Sequence, residues 1–289
     1  MQGDAGDRMK LVRFSHRDST RWGALAQDRV IPLDTVWPTL TQGLEQTPAA
    51  LQQAADQNSL HALHANEVQW LPPAEPCSKI LCVGLNYGRH VLEGGRDLPA
   101  HPSLFLRHLD SFVGHEQDII RPACSSQFDF EGELAVVIGR GGRHIAVETA
   151  MEHVAGYTCM GENSVRDFQK HTAQVTAGKN FDRSGSLGPW IVTADEAGAP
   201  EAMTLQTRLN GAVMQSAPVS DLIFSVPTLI AYISTFTTLR AGDVIATGTP
   251  EGIGLRRTPP LFMKAGDVLE IDISGLGVLR STVADEAIS

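Results

Sequence analysis

The chain has 289 residues, of which 42% are hydrophobic and 19% charged, a composition typical of a folded globular protein. Asp and Glu number 33 against 23 Lys and Arg, and this acidic balance argues against a nucleic-acid-binding protein. The four cysteines form no Cys-x-x-Cys pair, which argues against structural zinc and favours a reduced, cytoplasmic location. The first residues lack the apolar segment of a secretory signal, and no stretch reads as a membrane span.

The N-terminal part is predicted to be a small α+β domain over residues 9–73. Residues 9–36 read as short strands, including a hairpin whose turn carries Asp28 and Arg29. Residues 39–66 are rich in Ala, Gln and Leu, which predicts one or two helices. The proline-dense segment 70–76 marks the boundary with a catalytic domain over residues 78–289.

The larger part is predicted to be strand-rich with few helices. A strand is predicted over 130–139, where an acidic start runs into an apolar run. Helices are predicted over 146–157 and 226–243, the second with an apolar face made of Leu229, Ile230, Ile233 and Phe236. Short strands separated by Gly-Asp turns complete the C-terminal part. This mixture predicts an α+β fold rather than a doubly wound sheet.

Two glutamates, Glu131 and Glu133, stand directly before a buried apolar run. Side chains alternate faces along a strand, so both should point the same way, with Asp129 beside them if the strand begins early. Carboxylates crowded next to apolar residues repel one another, and a hard divalent cation relieves that repulsion. The ordinary interpretation of this pattern taken alone is a solvated strand face.

A second polar cluster follows the segment Gly156-Tyr157-Thr158. Glu162, Arg166 and Gln169 fall at positions i, i+4 and i+7, which share one face if the segment is helical. Ten residues later, Lys179 lies in a Gly-rich segment that can bring it over a pocket. Taken alone, a Glu-Arg pair at this spacing is usually a surface ion pair.

A third pattern places His90 and Glu93 three residues apart, where one helical turn puts them on the same face. Glu93 can then orient His90 as a general base near neutral pH. Tyr87 precedes the pair and Gly94-Gly95 follows it as a possible hinge, so we predict a mobile lid over residues 86–97. The competing interpretation is an exposed His-Glu pair.

Seven segments, in order, resemble the fumarylacetoacetate hydrolase family over residues 78–285: VGLNYGRHVLE, PSLFLRHLDSFVGH, DFEGELAVVIG, AGYTCMGENSVRDFQ, GKNFDRSGSLGPWIV, LNGAVMQSAPVSDLIF and GDVIATGTPEGIG. The resemblance implies a mixed β-roll around one divalent cation per subunit, Mg²⁺ or Mn²⁺. It implies metal ligation by Glu131, Glu133 and Glu162, catalysis by His90, Glu93 and Lys179, and substrate binding by Tyr87, Arg107, Arg166, Gln169 and Thr247. The family commonly has Asn-Asp where this chain has Gly161-Glu162.

The resemblance implies a metal-dependent hydrolase that cleaves a C–C bond in a small 2,4-dioxo acid of the acylpyruvate type. Fumarylpyruvate and maleylpyruvate, from aromatic catabolism, are expected substrates, with His90 activating the water. The alternative is an isomerase, decarboxylase or hydratase acting on a 2-hydroxymuconate-type diacid, or an oxaloacetate decarboxylase. We expect a homodimer that binds neither nucleic acid nor membrane.

Two other classes of protein fit the sequence less well. A non-heme metal oxygenase normally uses two histidines and one carboxylate, whereas the candidate ligands here are all carboxylates. A catalytically silent binding protein would not need the complete polar set of His90, Glu93, Lys179 and Arg166.

Overall fold

The computed structural model describes residues 9–95 and 97–287. The N-terminal residues inspected for a secretory signal, and Arg96 in the predicted lid, lie outside this described part. Its strands are, in chain order, β1 Lys10–His16, β2 Ser19–Ala26, β3 Arg29–Pro32, β4 Leu63–His64, β5 Gln69–Leu71, β6 Ile80–Gly84, β7 Ser103–Arg107, β8 Phe112–Val113, β9 Ile119–Arg121, β10 Phe128–Asp129, β11 Gly132–Ile138, β12 Val154–Gly161, β13 Ser164–Val165, β14 Gly185–Thr193, β15 Thr204–Leu209, β16 Ala212–Pro218, β17 Val244–Ala246, β18 Val268–Ile273 and β19 Gly277–Asp285.

The helices of the described chain are short. The α-helices are α1 Leu40–Leu44, α2 Pro48–Asn58, α3 Gly88–Glu93, α4 Arg166–Gln169, α5 Thr176–Lys179, α6 Ala194–Ala197 and α7 Val226–Phe236. Single 3-10 segments cover Ser59–His61, Ala65–Glu67, Leu109–Ser111, Val147–His153, Pro200–Ala202, Val219–Asp221 and Gly254–Arg256. None of these helices is long and apolar enough to cross a membrane.

A large sheet runs in the order β4-β3-β2-β1-β14-β12-β11-β17-β6-β7. Strand β11 lies in its middle, paired antiparallel with β12 on one side and β17 on the other. Because successive side chains alternate faces, Leu134 and Val136 enter one hydrophobic core, whereas Ala135 and Val137 enter another. The strand predicted over 130–139 is therefore confirmed from Gly132 to Ile138, and it is buried on both faces.

A second sheet of five strands, in the order β16-β15-β18-β19-β9, covers one face of the first. Its inward side chains, such as Leu205 and Ile271, share a core with Leu134 and Val136. The fold is a strand-rich α+β fold built from two packed sheets, as the sequence predicted.

The N-terminal strands continue the large sheet. The segment 70–76, predicted as a boundary, begins within β5 and ends before β6. The sheet crosses this boundary because β1 pairs antiparallel with β14, with Leu11 opposite Ile191. The helices expected within 39–66 are present as α1 and α2. The hairpin turn is shifted by one residue from its prediction, to Gln27 and Asp28.

The prediction of a helix over 146–157 is wrong. Val147–His153 forms a 3-10 segment, and β12 begins at Val154. Strand β12 is hydrogen-bonded by β11 on one edge and β14 on the other, and this pairing outweighs the local preference for helix.

The helix predicted over 226–243 ends earlier, at Phe236. Leu229, Ile230 and Ile233 are fully buried as expected, but Phe236 is 54% exposed and does not belong to the buried face.

Candidate metal centre and active site

The predicted carboxylate trio assembles where β11 and β12 meet. Glu131 lies just before β11, Glu133 is its second residue, and Glu162 directly follows β12. Gly132 pairs with Gly161, and the backbone N–H of Glu162 donates to the carbonyl of Glu131 at 2.9 Å. Each of the three residues offers a carboxylate oxygen, and these oxygens lie within 4.8 Å of one another.

Glu131 is the member of the trio whose negative charge is most strongly stabilised by its neighbours. It accepts hydrogen bonds from Ser164 Oγ at 2.6 Å and from Lys179 Nζ at 3.1 Å, and Arg166 Nη1 lies 2.6 Å from it. Burial favours the neutral acid, but Arg166 and Lys179 outweigh it and lower the pKa of Glu131 to about 2. This carboxylate therefore carries its charge throughout the physiological range.

Glu133 and Glu162 are in the opposite situation. Glu133 accepts a hydrogen bond from the Gly248 N–H at 2.7 Å, and burial together with Glu162 and Glu131 raises its pKa well above the ordinary value. Burial also raises the pKa of Glu162, although Lys179 and Arg107 oppose this effect. Two carboxyl groups that resist ionisation beside a third that is charged fit a divalent cation, whose charge would favour all three carboxylates.

The donor set also fits the kind of ion. Carboxylate oxygens without histidine or cysteine are the ligands preferred by Mg²⁺ and Mn²⁺. Glu131, Glu133 and Glu162 would hold such an ion, and solvent or substrate oxygens would complete its coordination.

Lys179 lies at the end of α5, and its side chain reaches the carboxylate trio. The sequence predicted that the Gly-rich segment around Lys179 brings it over a pocket. Lys179 Nζ donates to Glu131, to the Glu162 carboxylate and to the Glu162 carbonyl. Burial favours the neutral amine, but Glu131 and Glu162 outweigh it and raise the pKa of Lys179. Gly178 makes this approach possible, because a Cβ there would lie 2.4 Å from the backbone nitrogen of Gln169.

Arg166 is held beside Glu131 by Asp129, which the sequence predicted to lie beside the two glutamates if their strand began early. Asp129 lies outside the trio, and its carboxylate accepts from Arg166 Nε at 2.7 Å. It also accepts from the backbone N–H groups of Gly254 and Leu255. Asp129 therefore anchors both a substrate-binding candidate and a neighbouring turn. The sequence indicates this pair only through the opposite charges of Asp129 and Arg166.

The single helical face predicted for Glu162, Arg166 and Gln169 is only partly correct. Arg166 and Gln169 lie on α4, whereas Glu162 precedes that helix and is separated from it by β13. The three residues still surround one site because Arg166 Nη1 reaches both Gln169 Oε1, at 3.0 Å, and Glu131.

The His90–Glu93 pair lies on α3, as predicted. His90 Nδ1 is 3.6 Å from Glu93 Oε2, and the His90 side chain is 14% exposed. Burial lowers the pKa of His90; Arg166 adds to this effect, while Glu131 and Glu93 oppose it. This shift favours the neutral imidazole, which is the protonation state that a general base requires.

Asn86 fixes the entry to α3, a role that the sequence did not reveal. Its side-chain amide donates to the carbonyls of Phe224 and Thr247, and its Oδ1 accepts from the Phe224 N–H. The preceding residue, Leu85, has a φ of 60°, a conformation that non-glycine residues adopt rarely and that recurs at functional sites. The helix that carries His90 is thus anchored at its N-terminal end.

Three buried polar atoms around the trio have no hydrogen-bond partner among the described residues: the Tyr87 hydroxyl, His90 Nδ1 and Arg166 Nη2. His90 Nδ1 faces Glu93 Oε2 at 3.6 Å. Buried polar groups are normally satisfied, so the Tyr87 hydroxyl and Arg166 Nη2 call for a ligand or solvent partner. Tyr87 lies on the Glu133 side, where burial and that carboxylate raise its pKa. These atoms are available to hydrogen-bond a polar ligand.

Two other residues predicted to bind the substrate, Thr247 and Arg107, already use their hydrogen-bond donors within the protein. The Thr247 hydroxyl donates to the carbonyl of Leu134 at 3.0 Å, so it can only accept from a substrate. The Arg107 guanidinium is buried and directs its N–H groups to protein oxygens, among them Glu162 Oε1 at 3.1 Å. Direct contact of Arg107 with a substrate carboxylate is therefore not supported by its geometry.

Several known proteins are similar to this chain in sequence, and several solved structures are similar to it in fold. Oxaloacetate tautomerase fahd2, mitochondrial, of Xenopus laevis is 39% identical over 287 residues, covering 95% of this chain and 90% of that protein. Oxaloacetate tautomerase YisK of Bacillus subtilis is 42% identical over 216 residues, covering 73% of this chain and 71% of that protein.

Among solved structures, a fumarylacetoacetate hydrolase from Exiguobacterium antarcticum has 34% identity and a TM-score of 0.84, covering 96% of this chain and all of that one. Maleylpyruvate hydrolase from Sphingobium sp. SYK-6, solved with manganese(II) and pyruvate, has 27% identity and a TM-score of 0.79 over the same shares.

Two family models match the chain. The model described as Rv2993c-like, N-terminal, matches residues 9–73. The model described as fumarylacetoacetate (FAA) hydrolase C-terminal matches residues 79–284. The chain is an enzyme of the fumarylacetoacetate hydrolase family.

Proposed function

We propose that this enzyme is a metal-dependent oxaloacetate tautomerase, which interconverts the keto and enol forms of a four-carbon 2-oxo diacid. The observation that carries the proposal is a largely buried histidine beside the carboxylate trio, in a chain 39% and 42% identical to two oxaloacetate tautomerases. The isomerase chemistry that the sequence suggested as an alternative is thus better supported than C–C hydrolysis.

The reaction needs one proton to move within the substrate. A divalent cation at Glu131, Glu133 and Glu162 would act as a Lewis acid that polarises the 2-oxo group. His90 removes a proton from C3, and the C–H electron pair becomes the C2=C3 bond while the C2=O π pair moves onto oxygen. The protonated His90 then delivers its proton to that oxygen, so that no atom is gained or lost. The reverse sequence returns the keto form.

The groups around the trio suit this proton transfer. Arg166 Nη2 and the Tyr87 hydroxyl have no partner among the described residues and can donate to substrate carboxylates. Lys179 keeps its positive charge in the site and would stabilise negative charge that develops on the substrate oxygen. None of these roles requires a nucleophilic water.

Hydrolysis of an acylpyruvate is the second candidate. It is favoured by the likeness to the manganese-bound maleylpyruvate hydrolase, which extends over 96% of the chain. The same His90, paired with Glu93, could activate water instead of moving a substrate proton. The lower identity of 27% makes this candidate the weaker one.

A product assay separates the candidates. The enzyme with Mn²⁺ is incubated separately with enol-oxaloacetate, maleylpyruvate, fumarylpyruvate and acetylpyruvate, while the enol, pyruvate and CO₂ are each measured. We expect accelerated loss of the enol with no pyruvate above the uncatalysed background. Pyruvate with a free acid from an acylpyruvate would establish hydrolysis, and pyruvate with CO₂ from oxaloacetate would establish decarboxylation.

The pH dependence of kcat/KM should reflect the protonation of His90. Burial and Arg166 lower its pKa below 6.5, its ordinary value, although Glu131 and Glu93 oppose the shift; a bound cation would lower it further. We therefore expect kcat/KM for enol-oxaloacetate to be constant from about pH 7 to 8 and to fall with an apparent pKa below about 6.5. An activity that instead rises steadily above pH 7 would show that another group is the base.

We also propose that the protein is a cytoplasmic homodimer. The family resemblance supports the homodimer, and the free cysteines support the cytoplasmic location. Light scattering coupled to size-exclusion chromatography should give twice the chain mass, and a mass of one chain would exclude the dimer.

A further inference from the structure

Arg107, the last residue of β7, has no N–H group left for a substrate. Its Nε donates to Ser111 Oγ at 3.0 Å, and its Nη2 donates to the Ser111 carbonyl and to Ser184 Oγ. Its Nη1 donates to Glu162 Oε1 at 3.1 Å and to the Asn163 carbonyl at 3.2 Å. A guanidinium has five N–H donors, so every one of them is engaged.

The guanidinium is also fixed by packing. Its carbon lies 4.3 Å from the centroid of the Phe112 ring, and the side chain is completely buried. Gly185 leaves the necessary space, because a Cβ at that position would come within 2.9 Å of Arg107 Nη2. A cation held so closely cannot turn toward a ligand without breaking several buried hydrogen bonds.

The part of the site that Arg107 touches is the Glu162 carboxylate. Oε1 of Glu162 faces Arg107, and Oε2 faces Lys179. Arg107 also holds the carbonyl of the following residue, Asn163, so it fixes the side chain and the backbone of this segment together. A glutamate has three rotatable side-chain bonds, and restricting them before a metal binds lowers the entropy lost on ligation.

We propose that Arg107 is a positioning residue that orients Glu162 for metal binding, rather than a residue that recognises the substrate. The inference rests on the proposed metal site but not on the identity of the substrate. Hydrogen-bond partners of metal ligands typically change metal affinity or activity by about 10–100-fold when they are removed.

The test measures the affinity of the chelator-treated protein for Mn²⁺, from the electron paramagnetic resonance signal of the free ion. We expect Arg107→Met to weaken Mn²⁺ binding by about 10–100-fold, and Arg107→Lys to restore part of the affinity. Ser184→Ala removes one acceptor of Arg107 without removing a charge, and should give a smaller loss of the same sign. Arg208→Met is the matched control, because Arg208 pairs with Asp272 in the other sheet.

A double variant shows whether Arg107 acts through Glu162. In a Glu162→Gln background, Arg107→Met should cause little further loss of Mn²⁺ affinity, since contacting residues are not additive. With saturating Mn²⁺, the KM of Arg107→Met for oxaloacetate should equal that of the wild type.

Unchanged Mn²⁺ affinity in Arg107→Met with a raised KM would overturn the inference and make Arg107 a substrate contact. If Arg107→Met does not fold, Ser184→Ala and Arg107→Lys decide, and wild-type Mn²⁺ affinity in both would also overturn it. A wild-type enzyme without tautomerase activity would contradict only the proposed function, because the Mn²⁺ measurement contains no substrate.

Discussion

Glu133→Gln should abolish Mn²⁺ binding at stoichiometric concentrations and lower kcat/KM by about 10³-fold or more, because it removes the charge of a ligand that would hold the Lewis acid. The glutamine can still accept the hydrogen bond that Gly248 donates to Glu133. The measurements are Mn²⁺ titration and steady-state kinetics with enol-oxaloacetate.

The same substitution should stabilise the protein in the presence of a chelator. Burial and its two carboxylate neighbours raise the pKa of Glu133, so the folded state binds this proton more tightly than the unfolded state. The stability contributed by Glu133 is therefore present below its unfolded pKa and is lost as pH rises through the folded value. At pH 7 the unfolded state favours ionised Glu133 whereas the folded state opposes it, so a glutamine, which does not ionise, should raise the melting temperature.

Glu270→Gln is the control for this prediction. Glu270 lies on β18 and pairs at 3.8 Å with Arg280, so its replacement should leave Mn²⁺ affinity and activity unchanged. A Glu133→Gln variant that binds Mn²⁺ as tightly as the wild type would remove Glu133 from the metal site.

His90→Ala should lower kcat by about 10²–10⁴-fold, the range usual for a general base, while Mn²⁺ affinity stays that of the wild type. Glu93→Gln should have a smaller effect, because the 3.6 Å separation from His90 Nδ1 makes Glu93 an orienting partner. Replacement of the exposed His61 by alanine is the control and should change neither quantity. Loss of Mn²⁺ binding in His90→Ala would instead identify His90 as a ligand.

The juxtaposition of Glu131 and Glu133 could be foreseen because its signal is local. Two glutamates beside an apolar run are costly to bury without a cation, and this argument requires no knowledge of the fold. The position of Glu162 required more: it depends on the antiparallel pairing of β11 with β12, which brings residues about 30 apart into one site. The family resemblance supplied that link.

The roles of the buried cations could not be read from the sequence. Arg107 and Arg166 are equivalent as charges, but Arg107 is enclosed by Ser111, Ser184 and Glu162, whereas Arg166 keeps Nη2 without a described partner. That difference arises from residues distant in sequence.

Local structure was predictable where local preference and tertiary pairing agree. Helix α2 begins at the Thr47 N-cap with Pro48 in its first turn, and both signals can be read from the sequence. Residues 146–157 have a helical pattern, but their last four residues belong to β12, which is paired on both edges. No sequence window of that length contains this information.

The most direct test of a metal-dependent tautomerase is a single titration of the chelator-treated enzyme with Mn²⁺, in which bound Mn²⁺ and the rate of enol-oxaloacetate loss are measured on the same samples. We expect both to rise together and to saturate at one Mn²⁺ per chain. A full rate before any Mn²⁺ is bound, or one bound Mn²⁺ per chain without an increase in rate, would contradict the assignment.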